Sequence, residues 1–267
     1  SINGDEDKEK KQITLHSDEF FSFTKQKYYQ LQFTNSDTLD YEVYKKALQG
    51  FIYLKQTEEL SNDSLLTIID FSKHCNTKRL WVLNLKTNSV VFNELVSHGK
   101  NSGDEYAKYF SNSHRSHKSS LGFYVTGGTY YGRNDLSLKL NGLEPGFNTN
   151  AFTRGIVIHG ANYVGNIIAE RQERIGRSYG CPAVPQRINK QLVNTLKGGS
   201  CLFIYHPTSS YLENSKILNA NLYLSVDELS ICSSLYRTDE GFFAENCFSH
   251  PISFCVLLVS ARTKKSY

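Results

Sequence analysis

A mainly β domain with flanking helices (α+β) is the fold class this sequence predicts. Three observations lead to it. Short runs rich in β-branched, leucine and aromatic residues recur from residue 65 to residue 205, separated by polar breaks such as Lys86-Thr87-Asn88. Two other stretches, 41–56 and 185–197, carry apolar residues at helical spacing instead. Glycines punctuate the β-rich part, at Gly127-Gly128, Gly142, Gly176, Gly180 and Gly198-Gly199.

Taken in order, the chain opens with residues 1–39, whose acid–base run at 4–11 (GDEDKEKK) predicts a solvated, mobile segment. Residues 40–210 form the expected domain. Asp40 is placed to cap a helix over 41–56, where Tyr44, Ala47, Leu48, Phe51 and Leu54 make one apolar face that should lie on the sheet. Residues 65–71, 79–85 and 89–96 predict close-set strands joined by hairpins into an antiparallel sheet. A glycine-flanked loop, 97–103, follows. Residues 120–126 predict a strand, after which Gly127-Gly128 should turn the chain. Tyr130-Tyr131-Gly132 and residues 136–140 suit a hairpin, with the tyrosines read as packing. The loop 142–150 leads to a buried strand at 155–158, and 162–174 reads as a polar helix or irregular insertion. Pro185 suits the first position of a helix whose face is Ile188, Leu192, Val193 and Leu196, and which Gly198-Gly199 ends. Residues 200–207 make a closing strand. Residues 211–267 read as a tail of unknown role, expected to be poorly ordered or loosely docked from about residue 219.

Composition excludes several classes. At 267 residues the chain can bury a substantial core. Its formal charge of +4 is mild and its basic residues are scattered among acids, so no nucleic-acid partner is implied. No run is long enough to span a membrane; the apolar segment 252–259 is too short. Six cysteines at irregular spacing in a chain of this length do not make a disulfide framework. Cys201 reads as core, Cys75 as loop, and Cys232, Cys247 and Cys255 fall in the tail. The chain begins at Ser1 and contains no Met, so it is read as a processed or truncated product in which a signal peptide would not be visible. His114-Arg115-Ser116-His117, with His98, has a metal-binding look, but no third and fourth ligand stand at clear spacing, and a polar exposed loop is the plainer reading.

The chemistry concentrates in residues 154–184. The apolar run Gly155-Ile156-Val157-Ile158 delivers His159-Gly160 at a strand end, and 22 residues after His159 a glycine-spaced turn, 176–182, presents Cys181. A lone cysteine is most often a small buried hydrophobe, and a lone histidine is usually just hydrogen-bonded. Local chemistry sets this pair apart. Gly180 lets backbone N–H groups approach a substrate, Pro182 stops the chain continuing regularly, and Ser178 can hydrogen-bond within the turn. A thiol becomes a good nucleophile when a base, a cation or a helix N-terminus lowers its pKa, and the helix expected after Cys181 would favour a thiolate. Of Arg171, Arg174 and Arg177, the last stands next to the turn.

Ile158-His159-Gly160 followed by Ser178-Tyr179-Gly180-Cys181 resembles the signature of the L,D-transpeptidase catalytic domain (YkuD-like) family, and Arg177 to Ala183 is most similar to its murein branch with Ser-x-Gly-Cys-Pro-Ala. The likeness extends back through Ser119-Ser120-Leu121-Gly122-Phe123-Tyr124 and on to Leu202-Phe203-Ile204-Tyr205, covering about residues 60 to 210. Tyr179 stands where the family usually has histidine. Pro182-Ala183 replaces a hydrophobic residue and an arginine that often helps hold the donor stem, a role the resemblance would pass to Arg177.

The resemblance implies a YkuD-like β-sandwich or barrel-like domain with a catalytic groove, over which the hairpin near 130–140 forms a lid. It implies a cysteine-dependent transpeptidase of the bacterial cell envelope, periplasmic or exported. Cys181 would be the nucleophile, His159 its base and Gly160 the residue whose carbonyl orients the imidazole. Ser178, Tyr179, Gly180 and Arg177 would serve the oxyanion and substrate. The partners implied are peptidoglycan stem peptides as donor and acceptor, joined by diaminopimelate–diaminopimelate crosslinks, with carbapenems as inhibitors and neither cofactor nor metal. Two alternatives stand beside this reading: an L,D-carboxypeptidase with water as acceptor, and a non-catalytic cell-wall binding module.

Overall fold

The structure is a computed structural model that describes residues 10–225. In chain order its elements are β1 (Lys10–Ile13), α1 (Asp18–Gln30), α2 (Tyr41–Gln56), β2 (Asn62–Asp70), β3 (Leu80–Asn84), β4 (Ser89–Glu94), β5 (Gly122–Gly132) and β6 (Asp135–Gly142). They continue with β7 (Val157–Ala161), α3 (Asn166–Gln172), β8 (Ala183–Pro185), α4 (Gln186–Leu196), β9 (Ser200–Tyr205), α5 (Ser209–Asn214) and β10 (Leu222–Ser225).

Eight strands form one sheet in the order β4-β3-β2-β9-β5-β6-β7-β8. The three strands expected to pair antiparallel, β2, β3 and β4, do so, and the larger sheet they join is mixed, because β2 pairs with β9 and β7 with β8 in parallel. Antiparallel hairpins need only a short turn, and those are the pairings local sequence reveals; parallel partners come from distant segments. The two edges of the sheet also meet. Beyond β4, Ser97 bridges Ala183 of β8, with Ser97 N donating to Ala183 O at 2.8 Å, and Gly99 bridges Ser178. The sheet is thereby bent into a barrel-like wall, and the expected barrel-like, mainly β fold is observed.

The helix over 41–56 has the predicted bounds. Asp40 Oδ1 accepts from Glu42 N at 2.8 Å and Val43 N at 3.2 Å, which satisfies two of the free N–H groups at its start. Its apolar face is buried against the sheet, where Phe123 and Phe203 stack with centroids 4.2 Å apart. α4 buries Ile188, Leu192, Val193 and Leu196 as expected, but Pro185 is its N-cap rather than its first residue and closes β8.

Three sequence expectations are corrected. Residues 10–39, placed in a mobile segment, hold β1 and α1, and Phe20, Phe23 and Leu31 are buried. Gly127-Gly128 does not turn the chain. β5 continues through both glycines with a register shift between Thr126 and Thr129, and the turn comes at Arg133-Asn134. Residues 211–225, placed in the tail, bury Tyr211, Ile217, Leu218, Leu222 and Leu224, and β10, in the part expected to be loose, pairs with β1. The rest of the tail, with Cys232, Cys247, Cys255 and the segment 252–259, lies outside the described residues, as does the run 4–9. Among the described residues no helix is long and apolar enough to cross a membrane.

Candidate active site

β7 is buried along its whole length, as its Val-Ile-His-Gly-Ala sequence requires of a strand with neighbours on both sides. In its register His159 lies opposite Ser137 of β6 and Ala183 of β8. His159 Nδ1 stands 2.9 Å from Gly160 O. A carbonyl can only accept, so Nδ1 carries the hydrogen and Nε2 presents its lone pair. Gly160 has a packing reason to be glycine, since a Cβ there would strike Gln186 Oε1 and come within 2.9 Å of Asn189 Cβ on α4.

The turn before β8 is locked from within and from outside. Ser178 Oγ donates to Cys181 O at 2.6 Å and accepts from Gly180 N at 3.0 Å. Gly180 has φ +121°, in the region that favours glycine, and a Cβ there would lie 2.8 Å from Lys118 O. From outside, Ser178 N donates to His98 O at 3.0 Å, Lys100 N donates to Ser178 O at 2.8 Å, and Ser119 Oγ donates to Gly180 O at 3.4 Å. The glycine-flanked loop 97–103 therefore acts as a cradle for the cysteine turn.

Cys181 is two residues before Ala183, the register partner of His159, so its backbone lies about 7 Å from the level of His159 along the strand direction, just ahead of β8. The thiol donates to Gly155 O at 3.5 Å and receives the Val157 N–H. Burial raises its pKa, opposed by that N–H and by the Arg154 guanidinium. Burial lowers the pKa of His159, opposed by the Gly160 carbonyl. Both directions favour a neutral thiol and a neutral imidazole at rest. That suits a base that takes the thiol proton as attack occurs.

The sequence-predicted residues divide in two. Cys181, His159, Gly160, Ser178, Tyr179 and Gly180 are brought to one place, while Arg177 is turned away from it. Arg177 Nη1 donates to Asp104 Oδ1 at 2.6 Å, Gly103 O at 2.9 Å and Lys100 O at 3.2 Å, which fastens the cradle loop. Gly180 N is taken by Ser178 and is not free for an oxyanion. The N–H groups of Tyr179 and Cys181 meet no protein acceptor among the described residues. The helix-dipole argument fails in its geometry, because β8 separates Cys181 from α4. Ser178 is a turn lock. Tyr179 is exposed, with its ring over His117 (centroids 4.4 Å) and Lys100 Nζ 5.7 Å from its centre.

Two residues beside the thiol were missed by the sequence reading. Arg154 is half-buried; its Nη1 donates to Ser111 O at 2.7 Å and Ser120 Oγ at 2.5 Å, and its Nη2 to Lys118 O at 2.7 Å and Ser116 Oγ at 3.2 Å. Nη2 also lies 3.4 Å from the Cβ position of Gly180, and no acid partners this cation among the described residues. Tyr163 has its pKa pushed up to about 12 by burial and by the Cys181 thiol. Arg154 is visible in the sequence as a charge just ahead of an apolar strand, yet nothing in its spacing separates it from Arg171, Arg174 or Arg177.

His98, weighed for a metal, is buried against Arg79, with Nδ1 2.8 Å from Arg79 Nη2 and Nε2 3.2 Å from Gly103 O. Among the described residues no three His, Cys, Asp or Glu side chains gather as a metal site.

Comparison with known proteins assigns the family. Residues 35–205 match the L,D-transpeptidase catalytic domain family, and the chain belongs to it. No curated protein matches its sequence. Among solved structures, the chain is similar to an L,D-transpeptidase from Mycobacterium smegmatis (10% identity, 54% of this chain and 59% of that one, TM-score 0.34). Another is from Xylanimonas cellulosilytica (16% identity, 53% and 60%, TM-score 0.31). A third is from Stackebrandtia nassauensis (12% identity, 76% and 95%, TM-score 0.31). The chain thus spans less than two thirds of the length of the first two.

Proposed function

We propose that the chain is a cysteine-dependent L,D-transpeptidase acting on peptidoglycan stem peptides in the bacterial envelope, with Cys181 as the acylated residue. One observation carries the reading. The locked turn holds Cys181 just before β8, two residues ahead of the register partner of His159, whose Nδ1 is pinned to Gly160 O and whose Nε2 is left as a base. In the first half-reaction Sγ attacks the carbonyl after the third stem residue. The S–C bond forms, the C–N bond to the terminal D-alanine breaks, and the thiol proton passes through His159 to the leaving amine. The N–H groups of Tyr179 and Cys181 would receive the oxyanion, with Ser178 fixing the turn that carries them. In the second half-reaction the side-chain amine of another stem attacks the thioester and gives its proton to His159, and Sγ leaves and is reprotonated. The product is a diaminopimelate–diaminopimelate crosslink.

Incubation with a synthetic tetrapeptide stem, followed by mass spectrometry, tests this directly. Crosslinked dimer and free D-alanine are expected from the parent and neither from Cys181→Ser. Turnover retained in Cys181→Ser would remove Cys181 from the mechanism.

A further inference from the structure

Beside the cysteine turn lies a concavity of about 350 Å³ that the two half-reactions leave unused. Arg154 and Ile156 line it next to Gly180, Tyr179 forms one side, and His114, Arg115 and His117 form the outer wall. Its charge is one-sided: two arginines face it, with two imidazoles beside them, and neither Asp nor Glu lines it. Arg154 is tied to four uncharged oxygens, so its charge is held in place but not neutralised. Arg115 is exposed and makes no hydrogen bond or ion pair among the described residues, which leaves its guanidinium fork open. Keeping a half-buried cation without a counter-ion is costly, and a wall built on strained backbone is a second cost. Arg115 and His117 stand at φ +55° and +54°, a conformation that side-chain-bearing residues rarely adopt. The strain is held from behind, where His117 O accepts from Asn101 N at 3.1 Å, Ser116 O accepts from Asn101 Nδ2 at 2.9 Å, and the His117 ring rests on Tyr179.

We infer that this concavity is a carboxylate subsite, and that it takes the terminal carboxylate of the residue that leaves the donor stem. The inference rests on the reading of Cys181 as the acylated residue. A pocket of two guanidinium groups with no carboxylate partner, flanked by two imidazoles, is chemically matched to a carboxylate, and a guanidinium fork can grip it with two parallel hydrogen bonds. Distance selects which carboxylate. In the scissile unit the leaving amine, its α-carbon and its carboxylate follow the attacked carbonyl within one residue, about 3.8 Å from α-carbon to α-carbon. It is the anion nearest the reacting carbon, and the pocket holds Arg154, the cation whose field reaches the Cys181 thiol. Arg115 makes the direct contact, and Arg154 supplies field from its fixed position. The enzyme would then read the free C-terminus of a tetrapeptide and discriminate against a donor in which that end is capped or extended.

The test needs no turnover. Cys181 is alkylated with iodoacetate, which carries a carboxylate, and with the neutral iodoacetamide, and the ratio of the two rates is compared with that of free cysteine. The parent should show a ratio about tenfold higher than free cysteine, falling as salt is added, and Arg115→Gln should bring it close to the free value. Arg115→Gln should leave the iodoacetamide rate unchanged, showing that the thiol and the turn are intact. With peptide donors, the parent should favour a tetrapeptide over its C-terminal carboxamide, and Arg115→Gln should erase that preference. An iodoacetate ratio equal to that of free cysteine overturns the subsite and leaves Cys181 as nucleophile untouched. An elevated ratio with equal use of acid and amide donors overturns the assignment to the terminal carboxylate. Alkylation by neither reagent removes the nucleophile and the subsite together.

Discussion

Ser178 offers the sharpest test of how the site is held. It is buried, and its hydroxyl alone spans the turn, donating to Cys181 O at 2.6 Å and accepting from Gly180 N at 3.0 Å. Ser178→Ala removes both bonds and puts nothing in their place. An ordinary hydrogen bond contributes about 1 kcal/mol net, and a buried polar group left unpaired costs about 1–3 kcal/mol, so a loss of about 2 kcal/mol is expected. For a domain of this size that lowers Tm by roughly 4–8 °C. The effect on chemistry should be larger than on stability, because Gly180 at φ +121° has one of its holding bonds in that hydroxyl. Peptide acylation should fall by about tenfold or more, since misplacement of a reacting group by a fraction of an ångström is enough. Thermal unfolding by circular dichroism and the rate of acyl-enzyme formation by intact-protein mass spectrometry read the two effects. A variant that melts and acylates like the parent would refute the turn-lock reasoning.

Three further outcomes follow from the same geometry. Arg177→Ala should loosen the cradle loop and lower Tm by a few degrees while leaving the apparent affinity for donor peptide unchanged; a selective rise in donor KM would return Arg177 to substrate binding. The iodoacetamide rate at Cys181 should climb with a midpoint above the ordinary thiol value of 9.0, because burial disfavours the thiolate, and Arg154→Met should move that midpoint higher still; a midpoint near neutrality would contradict the neutral resting pair. His98 is held at about 4 by burial and by Arg79, below its ordinary 6.5, so the folded state binds fewer protons than the unfolded chain between those values. Its contribution to stability is complete above pH 6.5 and is lost as pH falls through about 4, up to about 3 kcal/mol. Tm measured from pH 7 to pH 4 should therefore fall more in the parent than in His98→Gln, and equal slopes would remove His98 as the cause.

What could be read from the sequence was local. The α2 helix is visible in a cap and a five-residue apolar face, and β3 and β4 in two apolar runs joined by a polar turn, because each needs only neighbours in the chain. The pairing of β1 with β10 was not visible. Each strand has four residues, too few to show a period, and their partners lie at opposite ends of the described chain. Gly127-Gly128 was misread because a glycine pair serves a bulge as well as a turn, and only the partner strand β6 decides which. At the site, Cys181 and His159 stood out through their flanking glycines. Arg154 did not, because its nearness to the thiol depends on the loop 111–120 folding over it, a contact between segments that the sequence leaves far apart.

Intact-protein mass spectrometry after incubation with meropenem, run beside Cys181→Ser, bears most directly on the central claim. If Cys181 is the acylated nucleophile, the parent gains the mass of a single drug molecule and the serine variant gains none. A folded parent that gains no mass, or a serine variant that still does, would contradict it.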